Sequence, residues 1–307
     1  MTVAASAPIE ALFDVPAPAK LNLFLHITGR RPDGYHLMQS IFMLIDWCDT
    51  LHFERRADGH ISRSDLPVGE VAPGLTAEAL PEDDLCVRAA KALQAACGTR
   101  YGVHIRLQKR VPSQAGMGGG SSDAASCLLA LQRLWGVALP RTQLLAIALK
   151  LGADVPFFLC GSHAWVEGVG EKITPIQLPD ARFLVVKPPA GLSTQAIFSS
   201  RLLKRDSETA TMLGFAVNAE DQSRSAPWDW NFGRNDLQPV ALNLCPPVAQ
   251  SLEWLAAQHL QGRMTGSGSA VFAHLPPGCR TEAVPPLKGE WQVRICGNLK
   301  VHPLAGW

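Results

Sequence analysis

The chain has 307 residues, of which 47% are apolar, and a formal net charge of +1 at pH 7. This length suits one large domain or two ordinary ones, and the near-neutral charge argues against a nucleic-acid binder, which usually carries a basic field. The eight cysteines show no C-x-x-C pair and no zinc spacing, and no apolar run reaches the ~20 residues of a membrane span. The sequence therefore predicts a soluble cytoplasmic protein without nucleic-acid or membrane partners.

The first predicted element is a strand at residues 17–27, which follows a loosely ordered lead-in at residues 1–15. Residues on the two faces of this strand alternate along the sequence with a period of two. Lys20 and Asn22 stand two positions apart, so their side chains project on the same side of the strand. The pattern alone is equally consistent with an ordinary strand that has one solvated face.

A turn is predicted next at Pro32–Gly34, because proline fixes φ and glycine tolerates positive φ. Tyr35 and His36 lie just beyond this turn, and by themselves they are an ordinary surface pair. Residues 41–54 predict one or two strands, with a turn near Asp46–Asp49.

The most informative stretch is a glycine loop between a strand and a helix. Four glycines occupy the five positions from Gly116 to Gly120, where no side chain hinders the approach of a ligand. Alternation at residues 103–107 predicts the strand, and Ser121–Asp123 is a capping signal for an amphipathic helix that extends to residue 135. Because a helix N-terminus offers free N–H groups and the positive end of a dipole, this arrangement predicts a bound phosphate. A purely structural loop is the alternative.

Other nucleotide-binding loops fit this stretch badly. No lysine follows the glycines as it does in a P-loop, and Ser121 stands where the third glycine of the dinucleotide-binding motif belongs. The characteristic motifs of protein kinases are absent as well. A cation that offsets phosphate charge must therefore come from outside the loop.

The rest of the chain predicts further helices and strands. Asp154 lies between small and apolar neighbours, where an acidic residue is either a helix cap or a site residue. Residues 204–233 are a long polar connection, and a second glycine turn at residues 262–272 runs into a strand, although a simple hairpin turn explains it equally. Predicted helices lie at residues 84–93, 144–151, 236–244 and 246–259, and predicted strands at residues 163–167, 182–186, 270–275 and 291–296.

Several motifs, taken in order and spacing, resemble one family of GHMP kinases, the small-molecule kinases named for galactose, homoserine, mevalonate and phosphomevalonate. The family is that of the 4-diphosphocytidyl-2-C-methyl-D-erythritol kinases, and the resemblance extends over roughly residues 16–300. The motifs that carry the resemblance are Pro18–Leu23 with Asp33–His36, the loop at residues 112–125, Leu151–Phe158 and Met264–Gly268.

The resemblance implies an α+β fold of two domains. An N-terminal ATP-binding domain is expected at residues 1–165 and a C-terminal α+β domain at residues 166–307, with the site between them. It also implies the reaction, in which the 2-hydroxyl of 4-diphosphocytidyl-2-C-methyl-D-erythritol is phosphorylated with ATP in the non-mevalonate route to isoprenoid precursors.

The resemblance further implies roles for individual residues. Asp154 would accept or orient the proton of the substrate hydroxyl, and Lys20 would keep that carboxylate charged and offset charge on the γ-phosphate. The expected substrate contacts are Asn22 with the sugar alcohol, Tyr35 and Phe198 on the two sides of the cytosine ring, and His36 at its edge.

Cofactor binding is expected at the glycine loop, with ATP accompanied by Mg²⁺. No metal-ligating residue is assigned: Ser122 is a possible ligand, but phosphate and water oxygens are expected to hold most of the metal's coordination. This chain departs from many relatives at residues 113–115, where they carry more glycine. The expected ATP-binding residues are Pro112, Ser113, Gln114, Ala115, Gly116, Met117, Gly118, Gly119, Gly120, Ser121 and Ser122.

Other functions fit parts of the sequence. The first is another GHMP kinase, for homoserine or a mevalonate derivative, which would have no use for a base-binding clamp of Tyr35, His36 and Phe198. The second is a non-catalytic nucleotide-binding relative, which the intact Lys20 and Asp154 disfavour. A plain phosphate-binding scaffold would leave the remaining motifs unexplained. The expected partners are ATP and a small-molecule substrate, and the expected state is a monomer or a weak homodimer.

Overall fold

The structure is a computed structural model that describes residues 9–67, 84–211, 229–279 and 290–307. Part of the predicted lead-in and most of the 204–233 connection lie outside these ranges. Among the helices of the described segments, none combines the length and apolar character that a membrane crossing requires.

The first half of the described chain forms a mixed sheet covered by helices. Its strands pair in the order β3-β4-β2-β5-β6, with β1 on β2, and all pairs are antiparallel except β3 with β4. Leu93, Leu128, Leu144 and Phe157, one from each helix, share a buried core with this sheet. The elements are β1 (Ala11–Arg30), β2 (His36–Arg56), β3 (Ile61–Leu66), α1 (Leu85–Cys97), β4 (Gly102–Gln108), α2 (Gly119–Trp135), α3 (Arg141–Leu151), α4 (Val155–Cys160), β5 (Ala164–Gly168) and β6 (Lys172–Pro175).

The second half forms an antiparallel sheet in the order β10-β7-β9-β8. Leu184 and Val271 of this sheet pack with Ile197, Val240 and Val248 of its helices. Its elements are β7 (Arg182–Lys187), α5 (Thr194–Ser199), α6 (Gln238–Leu244), α7 (Pro246–Ala257), β8 (Arg263–Met264), β9 (Val271–Leu275) and β10 (Gln292–Gly297). The α+β fold class is therefore confirmed.

The two halves share a buried core, and the last segment of the chain returns from the second half to the first. Phe24 and Trp165 from the first sheet belong to the same buried cluster as Phe183 and Phe272 from the second. Residues 298–307 return to the first half, where the N–H of His302 donates to the carbonyl of Gly161 at 2.7 Å. The two halves therefore pack directly against each other, and a site between them would have walls from both.

The first two strands are longer than the sequence pattern predicts. β1 begins at Ala11 instead of at residue 17, and the predicted turn near Asp46–Asp49 is wrong, because β2 runs without a break for 21 residues. Asp49 does not serve a turn: it is fully buried and accepts the N–H of Val111 at 2.8 Å. The alternative of an ordinary strand with one solvated face does not hold for β1, since Lys20 is only 3% exposed and Phe24 is fully buried.

Candidate active site

A cleft of about 820 Å³ lies between the two halves of the chain, and its size is that of a typical ligand site. The first half contributes Lys20, Asn22 and Asp154 to its walls, and the second half contributes Phe198 and Gly266–Gly268. The glycine loop from Pro112 to Gly120 lines the cleft as well. The structure therefore brings the two predicted glycine turns to one place.

Backbone hydrogen bonds fix the glycine loop to both halves. The carbonyls of Gln114 and Ala115 accept the N–H groups of Ser269 and Ala270 at 3.1 and 3.2 Å. The carbonyl of Met117 accepts the N–H of Lys20 at 3.0 Å. The second glycine turn is therefore not an isolated hairpin turn, since it packs on the loop that lines the cleft.

Gly116 stands where the two glycine turns meet. A Cβ built on Gly116 would lie 2.2 Å from the carbonyl oxygen of Thr265, and a Cβ on Gly266 would lie 2.6 Å from the carbonyl oxygen of Gly116. Both residues also have a positive φ, a backbone conformation in which a residue with a side chain is strained. Only glycine allows this backbone approach.

Gly116→Ala is expected to weaken ATP binding and to destabilise the protein. The left-handed backbone alone costs about 1–2 kcal/mol in a residue with a Cβ, and the clash with Thr265 must add to it. The matched control is Gly98→Ala, because Gly98 has φ 64° and nothing within 4 Å of its Cβ position. Chemical denaturation and the apparent KM for ATP check the prediction, and equal effects of both variants would contradict it.

The N-cap of helix α2 lies three residues before the start of the predicted capping signal. Gly118, in a left-handed conformation, is the N-cap, and the helix starts at Gly119. The predicted capping signal at Ser121–Asp123 is wrong, because those residues lie inside the first turns of the helix. The N–H groups from Gly118 to Ser121 have no carbonyl partner four residues earlier within the helix, so this end of α2 suits an anion.

Ser122 does not occupy the position that the sequence predicts for it. Its side chain is fully buried, its hydroxyl donates to the carbonyl of Pro18 at 2.7 Å, and its N–H donates to the carbonyl of Gly118 at 2.9 Å. Ser121 and Ser122 are also not among the residues that line the cleft. At the start of α2, the residues that line the cleft are therefore Gly118, Gly119 and Gly120.

The structure brings Lys20 and Asp154 together at the cleft. Their Nζ and Oδ2 atoms are 3.6 Å apart, with Lys20 buried and the Asp154 side chain 31% exposed. Asp154 occupies the N-cap position of α4 but makes no side-chain capping bond. Its carboxylate is therefore available to the cleft.

The surroundings of Lys20 orient its ammonium group. Nζ also donates to Oδ1 of Asn22 and lies 4.5 Å from the ring centroid of Phe42. Burial lowers the pKa of Lys20, and the neighbouring Asp154 carboxylate opposes that shift. The expected common side of Lys20 and Asn22 is thus confirmed by their hydrogen bond.

Asn22 has protein partners at both ends of its amide. Oδ1 accepts from Lys20, and Nδ2 donates to the hydroxyl of Ser40 at 2.9 Å. Its backbone N–H donates to Oγ1 of Thr265, in the second half of the chain, at 2.9 Å. Asn22 lines the cleft, but its clearest structural effect is to orient Lys20.

A second lysine, which the sequence analysis did not identify, faces the cleft. Nζ of Lys109 binds the carboxylates of Asp49 and Asp123, at 2.8 Å from Oδ2 of Asp123. Although burial works against it, the two carboxylates raise the pKa of Lys109, and burial raises the pKa of Asp123. Asp49 and Asp123 lie 74 positions apart in the sequence, so the only local signal was the basic pair Lys109–Arg110 between β4 and the glycines.

The predicted base clamp is partly assembled. The rings of His36 and Phe198 lie 5.1 Å apart between centroids, with an interplanar angle of 38°. Of the three clamp residues only Phe198 lines the cleft; His36 does not, and Tyr35 does not and is 64% exposed. The sequence analysis also missed Arg205, whose Nε lies 2.9 Å from Nε2 of His36.

Side-chain ligands for a metal ion are not assembled in the cleft. The described residues contain no cluster of three or more histidine, cysteine or acidic side chains that could hold a metal. Among the carboxylates that line the cleft, Asp154 pairs with Lys20, Asp123 with Lys109, and Asp65 and Asp84 with Arg63. The hydroxyl of Ser122 donates to the carbonyl of Pro18. The residues present therefore do not form a dedicated Mg²⁺ site.

Comparison with known proteins identifies the same architecture. Residues 84–162 match the GHMP kinases N terminal domain, and residues 218–277 match the GHMP kinases C terminal domain. The homoserine kinase of Cytophaga hutchinsonii superposes with a TM-score of 0.66 at 13% identity, covering 98% of each chain, which shows the shared fold alone. The two halves and the cleft between them are those of a GHMP kinase, a class that uses ATP.

More similar proteins narrow the family. The 4-diphosphocytidyl-2-C-methyl-D-erythritol kinase of a Polaromonas species is 71% identical over 307 residues, covering 100% of this chain and 97% of its own. A crystal structure of 4-(cytidine 5'-diphospho)-2C-methyl-D-erythritol kinase superposes with a TM-score of 0.69 at 31% identity, covering 94% of this chain and 99% of that one. The chain belongs to the 4-diphosphocytidyl-2-C-methyl-D-erythritol kinase family.

Proposed function

We propose that this protein transfers the γ-phosphoryl group of ATP to the 2-hydroxyl of 4-diphosphocytidyl-2-C-methyl-D-erythritol, a step of the non-mevalonate route to isoprenoid precursors. The observation that carries the proposal is the Lys20–Asp154 pair, which lines the same cleft as the glycine loop. Phosphoryl transfer needs positioned phosphates, an oriented hydroxyl and charge neutralisation. The names of the relatives supply the substrate.

The ATP phosphates would lie at the start of α2. Gly118–Gly120 line the cleft there, and their N–H groups together with the helix dipole favour negative charge. Lys109 is a further cation at this end of the cleft. Mg²⁺ would accompany ATP through phosphate and water oxygens, because the cleft offers it no dedicated carboxylate.

Asp154 would receive or orient the proton of the 2-hydroxyl. Its carboxylate is half-buried and lies beside the Lys20 ammonium. Orienting the hydroxyl is the larger part of this role, because the nucleophile needs little activation in a loose transition state. Lys20 would offset charge on the transferred group, and Asn22 would hold Lys20 in place.

The cytidylyl group would bind where His36 and Phe198 meet. Their rings already lie together, and the exposed Tyr35 ring could cover the base from the other side. Aromatic rings suit this role because stacking on a base contributes about 1–3 kcal/mol. The rest of the substrate would extend from there toward Asp154.

Tyr35→Ala is expected to raise the apparent KM for the cytidylyl substrate about 10-fold, because one stacking surface is lost. The KM for ATP and the melting temperature should stay unchanged, since Tyr35 is 64% exposed. Phe13→Ala is a matched control, because it removes an aromatic ring that is 58% exposed and does not line the cleft. Equal losses toward both substrates would contradict a base contact.

A coupled ADP-release assay tests the proposed function. The protein receives Mg-ATP with the cytidylyl substrate, with homoserine or with mevalonate, since kinases for the last two share its fold. Turnover of the cytidylyl compound alone is the expected result. Turnover of another alcohol would mean that the protein is a kinase with a different substrate. Nucleotide binding without any turnover would support the non-catalytic alternative.

The remaining features of the protein follow from the same proposal. An ATP-dependent metabolic enzyme with eight free cysteines fits the reducing cytoplasm, and we propose a monomer or a weak homodimer. We also propose two domains, but the predicted boundary after residue 165 would divide β5 (Ala164–Gly168), which pairs with β2 and β6. A boundary between Pro175 and Arg182 keeps each sheet whole.

A further inference from the structure

Arg205 connects the base-binding region to the polar connection that follows α5. Its Nε lies 2.9 Å from Nε2 of His36, and its terminal nitrogens donate to the carbonyls of Leu203, Phe198 and Ser200 at 3.0, 3.2 and 2.9 Å. Its hydrogen bonds with the described residues are therefore all directed at His36 or at the segment that carries Phe198. Arg205 thus links the His36 ring to the backbone of Phe198, and the centroids of the His36 and Phe198 rings lie 5.1 Å apart.

The contact with Arg205 determines which nitrogen of His36 carries hydrogen. A guanidinium group can only donate hydrogen bonds and stays protonated. Nε2 of His36 must therefore accept, so the imidazole is neutral and its hydrogen is on Nδ1. Burial lowers the pKa of His36, and the positive charges of Arg205 and Arg30 lower it further, in agreement with a neutral ring.

We propose that Arg205 is a positioning residue that fixes His36 as an Nδ1–H donor, and that this donor selects cytosine over uracil by binding N3 of the base. The proposal rests on the function proposed above, because it assumes a pyrimidine beside His36 and Phe198. Arg205 touches no reacting atom, so its effect on the reaction is indirect.

Base chemistry explains the selection. N3 of cytosine is a hydrogen-bond acceptor, whereas N3 of uracil carries hydrogen and donates. An Nδ1–H group meets a complementary partner in cytosine and a second donor in uracil. If Nε2 carried the hydrogen instead, the free Nδ1 would accept and would favour uracil. A site whose buried polar groups lose their partners rejects the wrong ligand strongly.

The tautomer can be measured directly. The ¹⁵N shifts of imidazole nitrogens distinguish a protonated from an unprotonated nitrogen, and the His36 signals are those that disappear in His36→Asn. The expected result for the native protein near pH 7.5 is a protonated Nδ1 and an unprotonated Nε2. The opposite pattern, or a doubly protonated ring, would overturn the proposal.

The selectivity is measured as a ratio of kcat/KM for the cytidylyl substrate and the corresponding uridine diphosphate compound. We expect Arg205→Met to lower this ratio about 10-fold, because one hydrogen bond no longer discriminates, and Arg205→Lys, which keeps a donor, to restore part of it. Arg201→Met is the matched control, because Arg201 is exposed two residues beyond α5. Loosening of α5 would weaken stacking by Phe198 on both bases, so it would leave the ratio unchanged.

The outcomes separate this proposal from the proposed function. An unchanged ratio in Arg205→Met, with turnover of the cytidylyl compound intact, would overturn the role of Arg205 and leave the kinase in place. Equal kcat/KM of the native protein for the cytidine and uridine compounds would also overturn the role of Arg205 and leave the kinase in place. If the native protein turned over neither compound, the proposed function would fail and the selectivity with it, while the ¹⁵N shifts would still decide the tautomer.

Discussion

Asp154→Asn is expected to reduce kcat about 10²- to 10⁴-fold, the range in which a positioned acid–base group contributes. The amide has the shape of the carboxylate but cannot accept the hydroxyl proton. The structure places this group 3.6 Å from Lys20 and leaves it 31% exposed to the cleft. Since it makes no capping bond for α4, its replacement should leave the helix intact.

Nucleotide binding separates this effect from a folding defect. The dissociation constant for ATP should stay within about twofold, because the glycine loop and α2 do not use Asp154. Asp180→Asn is the matched control, since Asp180 is a surface carboxylate outside the cleft whose side chain is 70% exposed. A near-native kcat for Asp154→Asn would remove the catalytic assignment of this residue.

Lys20→Met is expected to lower kcat about 10²- to 10³-fold, as loss of one preorganised positive contact to a developing charge does. The free energy of unfolding should change by less than about 1 kcal/mol. The variant no longer has to bury an ammonium group, and this gain in free energy offsets the lost hydrogen bond to Asn22. The Asp154 carboxylate, which is partly exposed, keeps contact with water.

Stopped-flow or steady-state kinetics measure the expected loss of kcat, and urea denaturation measures the expected small change in the free energy of unfolding. Lys172→Met, on an exposed position of β6, is the matched control and should change neither quantity. A large loss of stability in Lys20→Met would mean that the lysine has a structural role, and kinetics near those of the native protein would contradict its role at the γ-phosphate.

Features of the site that depend on neighbouring residues were predictable from the sequence. Two-residue spacing placed Lys20 and Asn22 on one side of a strand, and their hydrogen bond confirms it. Alternation predicted β4, in which Val103, Ile105 and Leu107 are buried. Glycine spacing predicted the loop at the start of α2, although not the residue at which the helix begins.

Features that depend on distant partners were not predictable. In the sequence alone Asp49 resembles a turn residue. In the structure its carboxylate binds Lys109 and accepts backbone N–H groups that follow Lys109 in the chain. Arg205 lies in a polar connection without a motif, and only the return of that segment to β2 reveals its contact with His36. Both cases are hydrogen bonds between polar groups far apart in the sequence, which local patterns do not encode.

The most direct test of the account is a crystal structure of the protein with a non-hydrolysable ATP analogue and the cytidylyl substrate. The account predicts phosphates at the N–H groups of Gly118–Gly120 and the 2-hydroxyl oxygen within about 2.6–3.2 Å of the Asp154 carboxylate. A 2-hydroxyl beyond hydrogen-bond distance of Asp154, or phosphates bound away from the start of α2, would contradict it.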